Sequence, residues 1–287
     1  MKSTLRLLAT FAFVLVASFA EAQIVAPNAA GVAMGHLHFY VTDVEANRKF
    51  WATLGATPGG QLGTGATAST VLKLPGVLIV LTPTTEKRQP GDGSVVGHMA
   101  FRVKSFKALE AAGFAIRTAP ERPGSGNIDL PSGDHIEVFE ENANQVAFKL
   151  DEGQKDETAE RHNRPMVGTI QSHHLHFYLP KGEDVKARAW YQQRFGAIPG
   201  VRLRYLAGDL PGVNLNFSDA TDPVGPTKGR TLDHVGFEIT NLEAFCRKLE
   251  ASGVKFDVPY QKRPNGLGVA FFTDPWGTYV ELTEGLR

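Results

Sequence analysis

Apolar and polar residues alternate in HLHFYVTD, which starts at His36, with the period of a β-strand. Leu37, Phe39 and Val41 fall on one face, and the histidines and the tyrosine between them fall on the other. The following VEANRKFWATLG has apolar residues at helical spacing and ends in a glycine, as helices often do. The runs TVLKL and VLIVLTP then predict strands. This stretch therefore predicts a β-α-β-β-β unit.

The same pattern restarts within the first half of the chain and then repeats in the second half. GHMAFRV predicts a new first strand, SFKALEAAG a helix and HIEVFEE a last strand. HLHFY recurs at 174–178, LPGV recurs at 210–213, and DPWGTYVELTEG at 274–285 matches LPSGDHIEVFEE. The sequence therefore predicts four β-α-β-β-β units in two homologous halves, at 34–142 and 170–287.

The segment 143–169 between the halves is predicted to be a linker. Its centre, from Asp151 to Arg164, is highly charged and nearly free of apolar residues. QVAFKL, just before that centre, fits one more edge strand. A chain of 287 residues has the length of about two domains, which agrees with this division.

The first 22 residues differ in composition from the rest. Two basic residues precede an apolar run from Leu7 to Ala20, and the AEA that ends at residue 22 fits a small-x-small cleavage site. The run is shorter than the about 20 residues that cross a bilayer. We therefore predict a Sec-type signal peptide at 1–22 and a periplasmic or secreted protein. The alternative is an uncleaved membrane anchor.

The charges of the chain balance, with 30 basic and 30 acidic residues. Without a basic excess there is no electrostatic basis for binding nucleic acid, and we expect no nucleic-acid partner. We also expect no membrane contact once the signal peptide is removed. Cys246 is the single cysteine, so an intrachain disulfide is impossible, and its helical context predicts a buried apolar filler.

Three motifs resemble those of a known family. A strand that opens with histidine, an acidic-capped helix ending in F/Y-x-x-L-G, and the terminal stretch DPWGTYVEL resemble the vicinal oxygen chelate superfamily. That superfamily includes glyoxalase I, bleomycin and fosfomycin resistance proteins, extradiol dioxygenases and methylmalonyl-CoA epimerase. The resemblance implies an α+β fold in which the four units pair into two glyoxalase/dioxygenase-like domains. Each domain would have a curled mixed sheet that forms a cup around one metal ion.

The resemblance also implies metal ligands at the start of the first strand of each unit and in the last strand. Two histidines and one glutamate fill these positions in each half: His36, His98 and Glu137 in the first, and His174, His234 and Glu281 in the second. Imidazole and carboxylate suit a divalent ion such as Fe²⁺, Zn²⁺, Mn²⁺ or Ni²⁺, and three protein ligands leave positions open for substrate oxygens. We expect each trio to converge on one ion.

Four further side chains fall on the same strand faces as the predicted ligands, two positions away from one of them. We predict that they take part in catalysis or contact a small-molecule substrate: His38, His176, His135 and Tyr279. His38 and His176 are alternatively metal ligands, or donors that support a ligand.

Members of the superfamily differ in the ligands that they use. Glyoxalase I has a fourth, acidic ligand, and the matching positions here hold Val80 and Asn216, which argues against that reaction. Extradiol dioxygenases share the two-histidine, one-carboxylate set. However, Phe271 stands where they have a tyrosine, and no histidine lies between His176 and His234 to act as their acid-base group.

We therefore predict an exported metal-dependent enzyme of this superfamily that acts on a small oxygen-bearing substrate through a 2-His-1-Glu site. The alternatives are a glyoxalase-like lyase or isomerase, and a non-catalytic small-molecule binding or resistance protein. We expect the site that contains Glu281 to be the working one. The last strand of the second half is closer to the family pattern, and its longer loop near 265–268 can cover a cup.

The predicted signal peptide leads to a direct test. Protein recovered from the extracytoplasmic fraction of the producing cell should begin near Gln23, as read by N-terminal sequencing. An intact N-terminus at Met1 in the membrane fraction would contradict this prediction.

Overall fold

The computed structural model describes residues 24–144, 146–155, 159–166 and 168–286. The predicted signal peptide lies outside the described residues. Within them, no helix is both long and apolar enough to span a membrane. The described chain has a mixed α+β fold, as predicted.

Over the described residues the predicted β-α-β-β-β scheme occurs four times. Unit 1 contains β1 (Val32–Val41), α1 (Val44–Leu54), β2 (Thr57–Leu62), β3 (Ser69–Leu74) and β4 (Val77–Pro83). Unit 2 contains β5 (Val96–Val103), α2 (Phe106–Ala111), β6 (Arg117–Thr118), β7 (Ser125–Asp129) and β8 (His135–Glu140). Strand β9 (Lys149–Leu150) lies in the linker. Unit 3 contains β10 (Ile170–Leu179), α3 (Asp184–Phe195), β11 (Ile198–Arg202), β12 (Tyr205–Leu210) and β13 (Val213–Asp219). Unit 4 contains β14 (Leu232–Ile239), α4 (Leu242–Ala251), β15 (Phe256–Lys262), β16 (Gly268–Thr273) and β17 (Tyr279–Glu284).

Local sequence sets the ends of the first helix. The Asp43 side chain accepts a hydrogen bond of 2.8 Å from the Ala46 amide and so caps the N-terminus of α1. Gly55 ends the helix with a φ of 119°, a backbone conformation that residues with a side chain rarely adopt. The chain can therefore turn back at once into β2.

Within the described residues the strands form two mixed sheets, and their order corrects the predicted pairing of units. The first sheet has eight strands in the order β15-β16-β17-β14-β1-β4-β3-β2. The second has nine, in the order β6-β7-β8-β5-β10-β13-β12-β11-β9. Unit 1 thus pairs with unit 4, and unit 2 pairs with unit 3. The expectation that each half would form its own sheet is wrong.

The linker gives the physical reason for this pairing. Because the two halves are homologous, β5 and β14 offer nearly equivalent edges to β1, and local pattern cannot choose between them. The linker packs beside units 2 and 3: β9 pairs with β11, as the edge strand predicted from QVAFKL. Arg102 of β5 also donates to the carbonyls of Arg161 and Arg164. Units 2 and 3 are held together by the segment that joins them.

The main apolar core of the described residues lies between the two sheets and includes buried side chains of α1, α3 and α4. Trp51 of α1 is fully buried, and its ring lies 6.0 Å from that of Phe39 in the first sheet and 5.9 Å from that of Phe101 in the second. Phe195 of α3 lies 5.1 Å from the ring of Phe237 in the first sheet. The apolar strand faces therefore meet in the centre, and the histidine-bearing faces point away from it.

The antiparallel pair at the centre of each sheet carries a β-bulge at the same relative position. The bulge falls at Gly35 between β1 and β14, and at His173 between β10 and β5. A Cβ atom on Gly35 would lie 2.9 Å from a backbone nitrogen of β14, so only glycine fits there without a shift. Beyond the bulges, His38 faces His234 across the strands in the first sheet.

The crossed pairing can be tested with pairs of cysteines. Val32 faces Ile239 in the observed register, so Val32→Cys combined with Ile239→Cys should form an intrachain disulfide on mild oxidation. The control is Val32→Cys with Val103→Cys. Val103 faces Ile170, the counterpart of Val32 in unit 3, and would face Val32 if each half formed its own sheet.

Peptide mapping under non-reducing conditions would identify the linked residues. Burial raises the pKa of the native Cys246 thiol to about 12, so it should not compete for oxidation. A disulfide in the control pair and none in the first pair would contradict the observed topology.

Candidate metal centres

The first sheet brings two histidines and a glutamate together in its cup. His36 lies on β1, His234 on β14 and Glu281 on β17, and all three are buried. The Nε2 atom of His36 lies 2.9 Å from Oε2 of Glu281, and the Nε2 atom of His234 lies 3.0 Å from the same oxygen. Three ligand atoms of the types that divalent metals prefer therefore converge on one point.

The contact of His234 with Asp233 fixes which of its nitrogens carries a proton. Its Nδ1 atom lies 2.8 Å from Oδ1 of Asp233, and an ionised carboxylate can only accept, so Nδ1 donates. A neutral His234 ring then turns the lone pair of Nε2 towards a carboxylate oxygen of Glu281. Two lone pairs at 3.0 Å repel unless a cation, either a proton or a metal ion, lies between them. The donor set thus fits a divalent metal.

The pKa values respond to this arrangement in the direction expected of a cation site. Burial alone would lower the pKa of His234, but its hydrogen bonds to Asp233 and Glu281 raise it above the ordinary value. Burial alone would raise the pKa of Glu281, but the two histidines hold it well below the ordinary value. In the absence of metal, a shared proton takes the place of the ion.

Asp233 is itself held from two sides. Its Oδ2 atom accepts hydrogen bonds from Arg88 at 2.8 Å and from the amide of Gly229 at 2.7 Å. The Arg88 guanidinium also lies 3.8 Å from the centre of the Tyr40 ring, which stacks on His38. The segment between units 1 and 2 therefore supports a carboxylate of unit 4 next to the site.

His38 lies close enough to the trio to be a fourth possible ligand in the first cup. One of its nitrogens lies within 4.8 Å of the ligand atoms of His36, His234 and Glu281, and its Nε2 atom is 2.6 Å from Oγ1 of Thr82. Burial and the neighbouring histidines lower the pKa of His38 well below its ordinary value. The ring is therefore neutral at physiological pH and available as a proton acceptor.

A cavity of about 370 Å³ opens beside this trio. Its wall includes the predicted substrate contacts His38 and Tyr279, and Leu267 from the loop that was predicted to cover a cup. Phe271, which takes the place of a dioxygenase tyrosine, lines the same cavity and stacks on Tyr279 at 5.4 Å. The cavity is large enough for a small organic molecule.

The second cup holds the equivalent side chains in a looser arrangement. His98 Nε2 lies 3.3 Å and His174 Nε2 lies 3.6 Å from Oε2 of Glu137, and neither ring nitrogen makes a well-directed hydrogen bond within the described chain. His176 bonds to Ser218 at 2.9 Å. Asn216 is buried with both amide atoms unpaired among the described residues. The cavity between these groups measures about 90 Å³.

The predicted trios are therefore wrong in their membership. His36 does not meet His98 and Glu137, and His174 does not meet His234 and Glu281; the two first-strand histidines have exchanged places. The cause is the crossed pairing of units described above. His135 lies outside the lining of the second cavity, with its ring 5.2 Å from that of His98 and its Nδ1 atom 3.1 Å from a carboxylate oxygen of Asp92.

Sequence reasoning missed the residues behind the ligands. Asp233 directly precedes His234, whereas the equivalent position before His98 is Gly97. This difference between the repeated motifs can be read from the sequence. It identifies the first cup as the one in which a carboxylate residue directly precedes a ligand histidine. Arg88 gave no comparable signal, because it lies between units 1 and 2. Arg202 lies in a repeated segment, GAIPGVRL, which matches GATPGGQL in unit 1, but its contact with His173 cannot be read from that pattern.

A family model described as the Glyoxalase/Bleomycin resistance protein/Dioxygenase superfamily matches residues 175–282, which span most of units 3 and 4. Residues 175–282 belong to this superfamily. The superfamily fold extends over both halves, because similar solved structures cover nearly the whole chain. No curated protein matches the chain.

Two of those superfamily structures illustrate the likeness. Glyoxalase I from Zea mays is 16% identical, covering 88% of this chain and 92% of its own, with a TM-score of 0.64. A putative dioxygenase from Bacillus subtilis is 17% identical, covering 93% of this chain and 87% of its own, with a TM-score of 0.63. At such identities the likeness is one of fold.

The support from Asp233 can be measured directly. Asp233→Ala should weaken divalent metal binding by about 10–100-fold, because His234 loses the acceptor that fixes its proton on Nδ1. Asp233→Asn should lose less, since an amide oxygen can still accept that hydrogen bond. Metal titration of the purified variants would measure both effects. Equal losses in the two variants would show that the charge of Asp233, and not its accepting oxygen, is what matters.

Proposed function

We propose that the protein is a metal-dependent enzyme that acts on a small oxygen-bearing substrate in the cup of the first sheet. His36, His234 and Glu281 would hold a divalent ion there. The observation that carries the proposal is the convergence of two imidazole Nε2 atoms on one carboxylate oxygen, with the proton of His234 held on the opposite nitrogen. The adjoining cavity of about 370 Å³ provides room for substrate.

A divalent ion in this position would polarise substrate oxygens and stabilise their anionic form. His38 is placed to take the proton that such an oxygen releases. Its Nε2 atom contacts Oγ1 of Thr82, which contacts the Ser69 hydroxyl at 2.5 Å. When Thr82 donates to Ser69 and accepts from His38, the Nδ1 atom of His38 keeps its lone pair and can accept a proton.

The walls of the cavity favour an aromatic or other planar substrate. Phe271 and Tyr279 form a stacked pair beside His234, with ring centres 5.5 Å and 5.8 Å from the imidazole. Arg263 lies at the edge of the same cavity and can attract an acidic group on the substrate. These features support binding and orientation of a ring whose oxygens face the three ligands.

The ligand set supports a dioxygenase-like reaction over a glyoxalase-like one. Two histidines and one carboxylate form the facial triad typical of non-haem Fe²⁺ oxygenases. The fourth position that an acidic ligand fills in glyoxalase I is Val80 in this cup, which is fully buried and faces His38 across the strands. A pure binding or resistance protein has no need of the protonation arrangement around His234.

We also propose that the protein is exported. The basis is the apolar segment and cleavage pattern in the first 22 residues. Metal would then be acquired outside the cytoplasm, where the ion that is bound depends on local supply as well as on the ligands.

Two alanine substitutions test which cup does the chemistry. Glu281→Ala should remove most bound metal and lower turnover by about 10²-fold or more, because the carboxylate is the shared centre of the first trio. Glu137→Ala, its counterpart in the second cup, is the matched control and should leave turnover nearly unchanged. Metal content and turnover would be measured for both after loading with Fe²⁺, Zn²⁺, Mn²⁺ or Ni²⁺.

The assay would use a panel of catechols and a hemithioacetal. We expect ring cleavage of a catechol by the iron-loaded protein and no turnover of the hemithioacetal. Turnover of the hemithioacetal instead would move the assignment to a glyoxalase-like isomerase. A wild-type protein that binds none of the four metals would overturn the proposal.

A further inference from the structure

The second cup has a chain of hydrogen bonds behind its first-strand histidine that the first cup lacks. Nη1 of the buried Arg202 lies 2.6 Å from Nε2 of His173 and also donates to the carbonyl of Val146. Nδ1 of His173 lies 2.8 Å from Nδ1 of His174. Arg202, His173 and His174 are thus joined in series, and all three are buried.

The donors in this chain can be assigned from chemistry alone. A guanidinium has only donors, so Nε2 of His173 accepts from Arg202. A neutral His173 must then carry its proton on Nδ1 and donate it to Nδ1 of His174. Since that nitrogen of His174 accepts, a neutral His174 carries its own proton on Nε2, the atom that faces Glu137.

We propose that Arg202 and His173 hold His174 in the Nε2–H form, so that the second cup does not bind a divalent metal with the affinity of the first. A metal needs the lone pair on Nε2, and binding it would require His174 to move its proton to Nδ1. Two N–H groups would then face each other at 2.8 Å in a buried site. This inference goes beyond the proposed function, which concerns the other cup.

The first cup has the opposite arrangement at each equivalent position. Gly35 replaces His173, and Nδ1 of His36 has no hydrogen-bond partner among the described residues. The His36 proton, which Nε2 donates to Glu281, can therefore move to Nδ1 and leave the Nε2 lone pair for a metal ion. Asp233 accepts from His234, whereas Gly97 offers no acceptor to His98. The same ligand types can therefore free their Nε2 lone pairs in the first cup, whereas the second cup holds the His174 proton on Nε2.

The linker fixes the hydrogen-bond chain of the second cup in place. Nη2 of Arg202 lies 3.4 Å from Nδ1 of His162, whose Nε2 atom donates to Asp209 at 2.8 Å. Asp209 also accepts from both terminal nitrogens of Arg161 and from Asn214. With Asp209 accepting from His162, Nδ1 of His162 must accept from Arg202. The protonation pattern is consistent throughout the network.

The remaining space in the second cup suits water. The cavity of about 90 Å³ corresponds to about three water molecules. The unpaired amide of Asn216 and the Nε2 atoms of His98 and His174 offer such molecules both donors and acceptors. We therefore expect a hydrated polar pocket at this position.

The experiment uses the full chain with Glu281→Ala, which removes the shared carboxylate of the first trio, so that a gain in metal binding reports on the second cup. In this background His173→Gly copies the residue that the first cup has at the bulge. Arg202→Met removes the donor and lets His173 donate from Nε2 to the Val146 carbonyl, 3.2 Å away. Titration with Co²⁺, followed by its visible absorption, should show binding at least about tenfold tighter in both variants.

A second measurement reads the proton positions without any metal. Side-chain ¹⁵N NMR of the metal-free wild-type protein should show His174 protonated on Nε2 and not on Nδ1. In the folded His173→Gly variant, the His174 proton should no longer be confined to Nε2. Circular dichroism would confirm that the variants retain the fold.

Two outcomes would overturn the inference. One is a His174 protonated on Nδ1 in the wild-type protein. The other is a Glu281→Ala protein whose second cup binds Co²⁺ as tightly as the wild-type first cup does. Failure of the first cup to bind metal would instead count against the proposed function, and the NMR result would still decide the present inference.

Discussion

The central antiparallel strand pair of each sheet is the contact on which the rest of the structure depends. Pairing of β1 with β14 places His36 and His38 beside His234, and pairing of β10 with β5 places His174 and His176 beside His98. Each cup is built outward from that contact by parallel pairing with β17 or β8, which adds the glutamate. Neither site exists within a single unit, because each unit supplies only part of a ligand set.

Much of this architecture could be predicted from the sequence. Alternation in HLHFY and helical spacing in the next segment define one unit, and repetition gives the other three. The resemblance to the superfamily then selects the positions of the six candidate ligands, all of which lie in the two cups. The loop near Leu267 was also correctly linked to a cavity wall. These features follow from local sequence pattern, which the four repeated units retain.

The pairing of units could not be predicted in the same way. The strand that meets β1 must be one of two related strands, and both have the apolar pattern and the histidine that the site requires. The difference lies in tertiary contacts of the linker, such as those of Arg161 with Asp209, which local pattern does not reveal. The same limit applies to His173, whose role depends on an arginine 29 positions away in the sequence.

The order of the sheets along the chain has a consequence for synthesis. Units 2 and 3 are adjacent in sequence, so their sheet can assemble while the last segment is still being made. The first cup must wait, because His36 and Glu281 are 245 positions apart and Glu281 lies in the final strand. A chain that stops even a few residues before β17 therefore contains every strand of the second sheet but lacks the glutamate of the first trio. Formation of the first trio therefore reports that synthesis has passed β17.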